Sequence, residues 1–211
     1  MRSGSTQVGS GIKVILFDVD KVLLYYDADD HSRLISRISG VDYSRIKEYR
    51  DTISDMVDMG RISDWDVCWM MQKRFGMKGK LPDYRHFYMK SRYRMRPWKR
   101  MLSIANKLHG DYKTGTLSNV GEERNMERKK LLKGAKFDYE FNSCEMNMRK
   151  PNLNIYRAAL KEMGVKPEEV IFIDDKEKNL KPARKLGMIA IRFTGIKNLR
   201  KELSSLGIRI Q

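Results

Sequence analysis

Polar side chains that can do chemistry follow three short apolar segments of this chain. In chain order they are Asp18 and Asp20, then Ser118 and Asn119, then Asp174 and Asp175. A carboxylate can act as a nucleophile, transfer a proton or bind a hard cation. In an open parallel sheet, ligands bind where the strands reach their carboxyl ends. If the apolar segments are neighbouring strands, these side chains therefore lie at one edge of the sheet.

Acidic residues dominate this set, and several carboxylates at one edge repel one another unless a cation lies between them. The set contains no His and no Cys, and carboxylate oxygens without softer ligands favour Mg²⁺. Taken singly, each pair has an ordinary structural explanation, because Asp, Ser and Asn often form turns or cap helices. Their occurrence after three separate apolar segments favours a Mg²⁺ site instead.

The elements that must position these residues show in the apolar pattern. Four short segments rich in β-branched residues are typical of strands buried on both faces of a parallel sheet. They cover residues 12–17, 112–117, 170–173 and 188–193. Helical patterns that end at Gly110, Gly164 and Gly187 separate or follow the later segments. This alternation predicts an α/β fold with an open parallel sheet that is covered by helices on both sides.

One long stretch, residues 28–96, interrupts this alternation with helical patterns and no convincing strand. We expect one helix around residues 46–56, a second between Ser63 and Gly76, and a third that starts at Asp83. A helical block of this length exceeds an ordinary crossover connection. The pattern therefore predicts a separate helical subdomain that lies over the sheet.

These patterns divide the chain into three parts. Residues 1–11 are rich in Ser and Gly and are expected to form a flexible N-terminal segment. Residues 12–27 and 97–211 are expected to form the α/β core. Residues 28–96 are expected to form the inserted α-helical cap subdomain.

The most unusual compositional feature is positive charge. The chain has 43 Lys and Arg against 27 Asp and Glu, which gives a formal net charge of +16. Such a surface attracts anions, among them phosphorylated metabolites, nucleic acids and acidic lipid headgroups. We expect a small phosphorylated metabolite as the partner and interpret the basic run at residues 90–100 as a solvated helix face. A contact with nucleic acid stays open, because charge alone does not select a partner.

The sequence also bears on compartment and assembly. No apolar run reaches the roughly 20 residues that a membrane span needs, and the N-terminus lacks the apolar core of a signal peptide. We therefore expect a cytoplasmic protein without a membrane partner, in which Cys68 and Cys144 are reduced thiols. Monomer and homodimer both stay open.

Four segments resemble the motifs of the haloacid dehalogenase-like (HAD) hydrolase superfamily. They are FDVDKVL at residues 17–23, TLSN at 116–119, RKPN at 149–152 and IFIDD at 171–175. The likeness extends over about residues 12–205, and GRIS at 60–63 resembles the insertion cap of the phosphatase-like branch. That branch includes sugar-phosphate phosphatases and the phosphatase domain of soluble epoxide hydrolases. The resemblance implies a Rossmann-like core with an inserted helical cap and a Mg²⁺-dependent phosphohydrolase that acts on a small phosphate monoester.

The resemblance also implies roles in a reaction with an aspartyl-phosphate intermediate. Asp18 would attack phosphorus, and Asp20 would protonate the leaving oxygen and later activate water. Lys150 would neutralise charge on the nucleophile and the phosphoryl group. Ser118 and the backbone of Asn119 would hold the phosphoryl oxygens.

The same resemblance implies a metal site and exposes one departure from the family pattern. Asp175, helped by Asp174, would hold Mg²⁺ together with Asp18 and the backbone carbonyl of Asp20. The family usually has Gly or Asn where this chain has Lys21. Because Gly tolerates backbone angles that Lys resists, we expect local strain or a rearranged turn there.

Three other functions remain as alternatives. A phosphomutase would use the same residues as a phosphatase. A dehalogenase of this superfamily would share the nucleophile Asp18 but would not need Asp20, because no leaving alkoxide requires a proton. A catalytically weak binding module for nucleic acid or an acidic partner would account for the positive charge.

Overall fold

The computed structural model describes residues 11–26, 28–77, 86 and 95–210. Its strands are β1 (Val14–Phe17), β2 (Leu24–Tyr25), β3 (Arg96–Pro97), β4 (Lys113–Ser118), β5 (Tyr139–Asn142), β6 (Val170–Asp174) and β7 (Ile189–Arg192). Its helices are α1 (Ala28–Ser39), α2 (Tyr43–Asp58), α3 (Asp64–Phe75), α4 (Lys99–Leu108), α5 (Glu122–Leu131), α6 (Ser143–Met146), α7 (Leu153–Met163), α8 (Glu177–Lys185) and α9 (Ile196–Ser205). A 3₁₀ turn at Pro167–Glu169 precedes β6.

A five-stranded sheet with the order β5-β4-β1-β6-β7 forms the centre of the fold, and all its neighbouring strands are parallel. Every residue of β1 is buried. Ile15 and Phe17 pack into one apolar cluster, while Val14 and Leu16 pack into another. Because alternate residues of a strand point to opposite faces, both faces of the sheet are covered. The predicted open parallel α/β sheet is therefore confirmed, and its four predicted strands are β1, β4, β6 and β7.

The edge strand β5 was not predicted from the sequence. Its residues, Tyr-Glu-Phe-Asn, run from half-buried through exposed to buried, so they lack the continuous apolar pattern of the central strands. Asp138, directly before it, ties it to β4: the Asp138 N–H donates to the Thr114 carbonyl, and the Thr114 N–H donates to the Asp138 carboxylate. Lys113 Nζ lies 2.6 Å from the same carboxylate. These contacts fix the start of β5 against β4.

Asp138→Asn is expected to lower the free energy of unfolding by about 1 kcal/mol near neutral pH. Burial alone would raise the pKa of Asp138, but the hydrogen bonds from Lys113 and the Thr114 backbone outweigh it and hold the pKa below its usual value. A carboxyl whose pKa falls on folding stabilises the fold above its unfolded pKa, and this stabilisation is lost as the pH falls through the folded pKa. Urea unfolding at about pH 7 and about pH 3 should show the difference between parent and variant shrink in acid.

The matched control is Asp111→Asn, which removes the same charge from an exposed turn before β4. We expect it to leave the free energy of unfolding unchanged at both pH values. An Asp138→Asn effect that persists undiminished in acid would contradict the electrostatic explanation.

Between β1 and β4 lies a group of helices with an apolar cluster of its own. The predicted helices around residues 46–56 and between Ser63 and Gly76 are α2 and α3. Ser63 and Asp66 form a reciprocal capping box at the start of α3, and Gly76 ends it in the left-handed conformation. Helix α1 was not predicted individually. The third helix that the sequence predicts, starting at Asp83, lies outside the described residues.

A short antiparallel pair, β2 with β3, joins the two points where the chain leaves and re-enters the sheet domain. Leu24 pairs with Pro97 and Tyr25 with Arg96. The Trp98 N–H continues this link by donating to the Leu23 carbonyl at 2.8 Å. The helical insertion is thus held by a two-stranded base next to the carboxyl end of β1. Across the described ranges, no helix combines the length and apolarity that a membrane span requires.

Candidate active site

The carboxyl ends of β1, β4 and β6 bring the predicted polar residues to one edge of the sheet. Phe17 pairs with Thr116 on one side and with Ile173 on the other, so the residues that follow these positions are neighbours. A cavity of about 140 Å³ opens at this edge. Five of the predicted site residues line it, namely Asp18, Asp20, Asn119, Lys150 and Asp175. Ser118 and Asp174 are buried beside it and are not among the described lining residues.

Lys150 connects two of the strand ends from below. Its side chain is 1% exposed, and its Nζ lies 2.9 Å from Asp18 Oδ1 and 2.6 Å from Asp174 Oδ2. Burial alone would lower the pKa of Lys150, but Asp18 and Asp174 outweigh it and raise the pKa. The side chain of Asn119 fixes the backbone here, because its amide donates to the Lys150 carbonyl and accepts from the Lys150 N–H, both at 2.8 Å. A charged lysine is therefore held in one place beside the carboxylate of Asp18.

Asp18 is buried in a crowd of charges. Burial raises its pKa to about 6, Lys150 opposes that rise, and Asp174 and Asp20 add to it. The raised pKa means that the protein, with Lys150 as its neighbouring cation, does not fully compensate the Asp18 carboxylate. An additional cation at this point would favour the ionised, nucleophilic form.

Asp174 and Asp175 differ in what their oxygens contact. Both Asp174 oxygens accept hydrogen bonds from Asn179, and they also accept from Lys150 Nζ and the Lys176 N–H. Asp175 Oδ1, in contrast, is buried and has no hydrogen-bond partner in the described structure. Its pKa is raised, mainly by burial. Asp174 thus holds Lys150 in place, while Asp175 presents an oxygen with unused bonding capacity.

The donor set fits a hard divalent cation. Asp18, Asp174 and Asp175 each offer a carboxylate oxygen, and these oxygens lie within 4.8 Å of one another. All are hard ligands, which suits Mg²⁺ better than a softer metal. The unpartnered Asp175 Oδ1 and the raised pKa of Asp18 are both features that such a cation would satisfy.

Two arginines that sequence reasoning missed hold the carboxylate of Asp20. Arg124 and Arg128, one turn apart on α5, both form ion pairs with Asp20 Oδ2. Burial alone would raise the pKa of Asp20, but the two guanidinium groups outweigh it and lower the pKa. The Arg124 guanidinium also lies 3.7 Å from the ring centroid of Tyr26. In this arrangement Asp20 is ionised and engaged.

Arg128 also determines what Ser118 does. The Arg128 side chain is 2% exposed, and its Nη1 donates to Ser118 Oγ at 2.9 Å. The Ser118 hydroxyl therefore accepts from a guanidinium in the structure. The spacing of Arg124 and Arg128 was the one available signal, because residues four apart share a helix face. Their surroundings, Glu-Glu-Arg-Asn-Met-Glu-Arg-Lys-Lys, are however typical of a solvated helix.

The helical insertion contributes Asp58 to the cavity. Asp58, at the end of α2, pairs with Arg149 at 3.0 Å, and its carbonyl accepts from the Ser143 hydroxyl. Arg149 also forms an ion pair with Asp55. A side chain on Gly121 would come within 2.9 Å of Val57 Cγ1, so a glycine there permits this close approach. The end of α2 is thereby attached next to Lys150.

The turn after Asp18 adopts the strained form that the sequence predicted. Lys21 has a φ of +62°, in the left-handed region that side chains other than Gly rarely adopt. The turn is held by the Lys21 N–H, which donates to the Leu24 carbonyl, and by the Leu23 and Leu24 N–H groups, which donate to the Val19 carbonyl. These hydrogen bonds stabilise a conformation that Lys21 alone would disfavour.

Comparison with known proteins gives consistent results. A family model described as haloacid dehalogenase-like hydrolase matches residues 12–187. The bifunctional epoxide hydrolase 2 of Rattus norvegicus is 40% identical over 70 residues, which are 33% of this chain and 13% of that protein. The flavin mononucleotide hydrolase 1 of Arabidopsis thaliana is 34% identical over 100 residues, which are 47% of this chain and 41% of that protein. The chain thus spans only a minor part of the length of these relatives.

Solved structures share the architecture. A HAD family enzyme from Bacteroides thetaiotaomicron, in complex with magnesium and inorganic phosphate, superposes with a TM-score of 0.74. The match covers 86% of this chain and 94% of that one at 24% sequence identity. At this identity the likeness establishes the fold.

Proposed function

This chain belongs to the haloacid dehalogenase-like hydrolase family, and we propose that within it the protein is a Mg²⁺-dependent phosphatase for small phosphate monoesters. The arrangement around Asp18 carries the proposal. Its carboxylate lies 2.9 Å from Lys150 Nζ and shares a cluster of oxygens with Asp174 and Asp175. The magnesium and phosphate complex of the Bacteroides enzyme and the named activity of the Arabidopsis relative support this choice.

In the proposed reaction, an Asp18 oxygen attacks phosphorus and the bond from phosphorus to the ester oxygen breaks, which leaves an aspartyl-phosphate. Water then attacks the same phosphorus, releases inorganic phosphate and regenerates Asp18. Lys150 keeps Asp18 oriented and offsets negative charge as the phosphoryl group arrives. Mg²⁺, held by Asp18, Asp175 and the Asp20 carbonyl, would reduce the repulsion between the anionic nucleophile and the anionic ester. Asp174 would act by positioning Lys150.

Asp20 is the proposed acid for the leaving oxygen and the base for the attacking water. In the structure its carboxylate is bound by Arg124 and Arg128, so the acid role requires it to leave these contacts. Phosphoryl oxygens are the natural competitors, because guanidinium groups bind phosphate as well as carboxylate. We propose that the arriving phosphoryl group takes over part of this arginine pair, with the Asn119 backbone and Ser118 completing the phosphate site.

The helical insertion is the proposed cap. Asp58 places it at the cavity, and Arg149 joins it to the residue next to Lys150. A subdomain attached there can exclude water around the phosphoryl group. We retain residues 28–96 as its proposed extent.

A phosphate-release screen over phosphorylated metabolites tests the function. With Mg²⁺ present, we expect at least one small monoester to be hydrolysed with release of inorganic phosphate. Chromatography of the same reactions separates hydrolysis from a phosphomutase, which would return an isomeric ester. Failure to release phosphate from any monoester would contradict the proposal.

Removal of the metal with EDTA is expected to reduce this phosphate release to about 1% or less, and added Mg²⁺ should restore it. Asp175→Asn should weaken Mg²⁺ binding by about 10–100-fold, because it replaces a charged oxygen ligand that has no other partner. Isothermal titration calorimetry with Mg²⁺ alone measures this without any turnover. Glu168→Gln, on an exposed turn, serves as the control and should bind Mg²⁺ like the parent. Full activity in EDTA would rule out the metal role.

Two alternatives are distinguished by existing features. Dehalogenation would leave Asp20 without a task, yet two buried arginines are devoted to it. A nucleic-acid-binding module rests on the net charge of +16. Filter binding of RNA and DNA at increasing salt decides that case, since tight binding with a steep salt slope that Asp18→Asn does not change would favour the module.

A further inference from the structure

A second cavity adjoins the candidate active site and has a different chemical character. It has a volume of about 420 Å³, and its described lining residues are Lys21, Tyr25, Tyr26 and Trp98. Lys21 and Tyr26 also line the active-site cavity. The two cavities are therefore contiguous along the turn that follows Asp20.

The sizes of the cavities divide a phosphate ester between them. The active-site cavity, at about 140 Å³ and lined almost entirely by charged and amide side chains, suits a phosphoryl group. A third cavity also shares Tyr26, Asp58 and Arg124 with it, but measures only about 70 Å³. The aromatic cavity is thus the adjoining space that is large enough for an organic group.

Aromatic rings form the wall of that space in a fixed arrangement. The rings of Tyr25 and Trp98 lie 5.7 Å apart at 59°, and Trp98 packs edge-on against Phe193 at 5.5 Å. The Phe193 N–H donates to the Asp174 carbonyl at 2.9 Å, so the base of this series is attached to the active-site strand β6. The outermost ring, Tyr25, is 66% exposed. A large exposed aromatic ring held beside a reactive carboxylate is well placed to stack on a ligand.

We propose that this aromatic cavity binds the alcohol portion of the substrate and selects phosphate esters whose alcohol carries a planar aromatic ring. The inference rests on the proposed function, because it assigns the leaving group of the same reaction. The phosphoryl group lies beside Asp18, and the ring of the alcohol lies against Tyr25 and Trp98. Lys21, at the boundary of the two cavities, contributes a positive charge on the phosphate side.

Binding of non-hydrolysable phosphonates tests the subsite separately from catalysis. With Mg²⁺ present, 2-phenylethylphosphonate should bind the parent about tenfold more tightly than propylphosphonate. Tyr25→Ala should reduce this preference to about twofold or less, because the exposed ring is lost. Tyr25→Phe keeps the ring and should retain the preference. Isothermal titration calorimetry gives both affinities for each variant.

Trp69→Ala provides the matched control, since Trp69 is also an exposed aromatic residue but lies on α3 and is not among the described lining residues of either cavity. It should retain the parent preference. Equal affinity of the two phosphonates in the parent, absent binding of both, or a full preference in Tyr25→Ala would overturn the inference. A retained preference in a protein that hydrolyses no phosphate ester, benzyl phosphate included, would instead overturn the proposed function and leave the subsite standing.

Discussion

Asp18→Asn is expected to lower phosphate release by about 10³-fold or more. The asparagine amide occupies nearly the same space but cannot form an aspartyl-phosphate, so the first step of the proposed reaction is lost. The fold should tolerate the change. Burial raises the pKa of Asp18 to about 6, so at neutral pH the ionised form is disfavoured by folding, and a neutral side chain removes that penalty. Initial rates with the best substrate of the screen, together with urea unfolding near neutral pH without Mg²⁺, measure both effects.

The expected signature is therefore a loss of turnover without a loss of stability. Asp51→Asn removes the same charge from an exposed position on α2 and should leave both measurements at the parent values. If Asp18→Asn kept more than about a tenth of the parent rate, the covalent mechanism would be wrong. If it lost rate and stability together, the role of Asp18 in catalysis would not be separated from a role in folding.

The sequence located the core of this site because parallel sheets obey a simple rule. Short apolar runs identified β1, β4 and β6, and the residues after each run had to meet at one edge. Asp18, Asn119 and Asp175 do line one cavity there. Strand β5 escaped the same reasoning, since an edge strand with an exposed Glu140 has no continuous apolar run.

What the sequence could not show is which polar groups pair across elements. Nothing local distinguishes Arg124 and Arg128 from the other cations of α5, and only the packing of that helix against β4 buries them beside Asp20. The same holds for Asp58, which reaches the cavity from an insertion whose pattern predicted helices alone. Partner choice among charged side chains depends on tertiary placement, and periodicity carries no information about it.

Lys150→Met is expected to lower phosphate release by about 10²–10³-fold, because a positioned charge at the reacting carboxylate is lost. It should also lower the free energy of unfolding by about 3 kcal/mol in the absence of metal. The reason lies in its two partners. Lys150 Nζ is within hydrogen-bonding distance of both Asp18 and Asp174, and methionine fills a similar volume but leaves these buried carboxylates without their cation.

Mg²⁺ gives this prediction its sharper form. If the ion binds among Asp18, Asp174 and Asp175, it supplies positive charge where Lys150→Met removed it, so added Mg²⁺ should stabilise the variant against urea by more than it stabilises the parent. Activity should stay low, because the ion cannot occupy the position of the ammonium group between Asp18 and Asp174. Lys185→Met, at an exposed position on α8, controls for the loss of one lysine and should match the parent in both measurements. Equal Mg²⁺ stabilisation of parent and Lys150→Met would mean that the metal and the lysine do not share these carboxylates, and the proposed site would have to be redrawn.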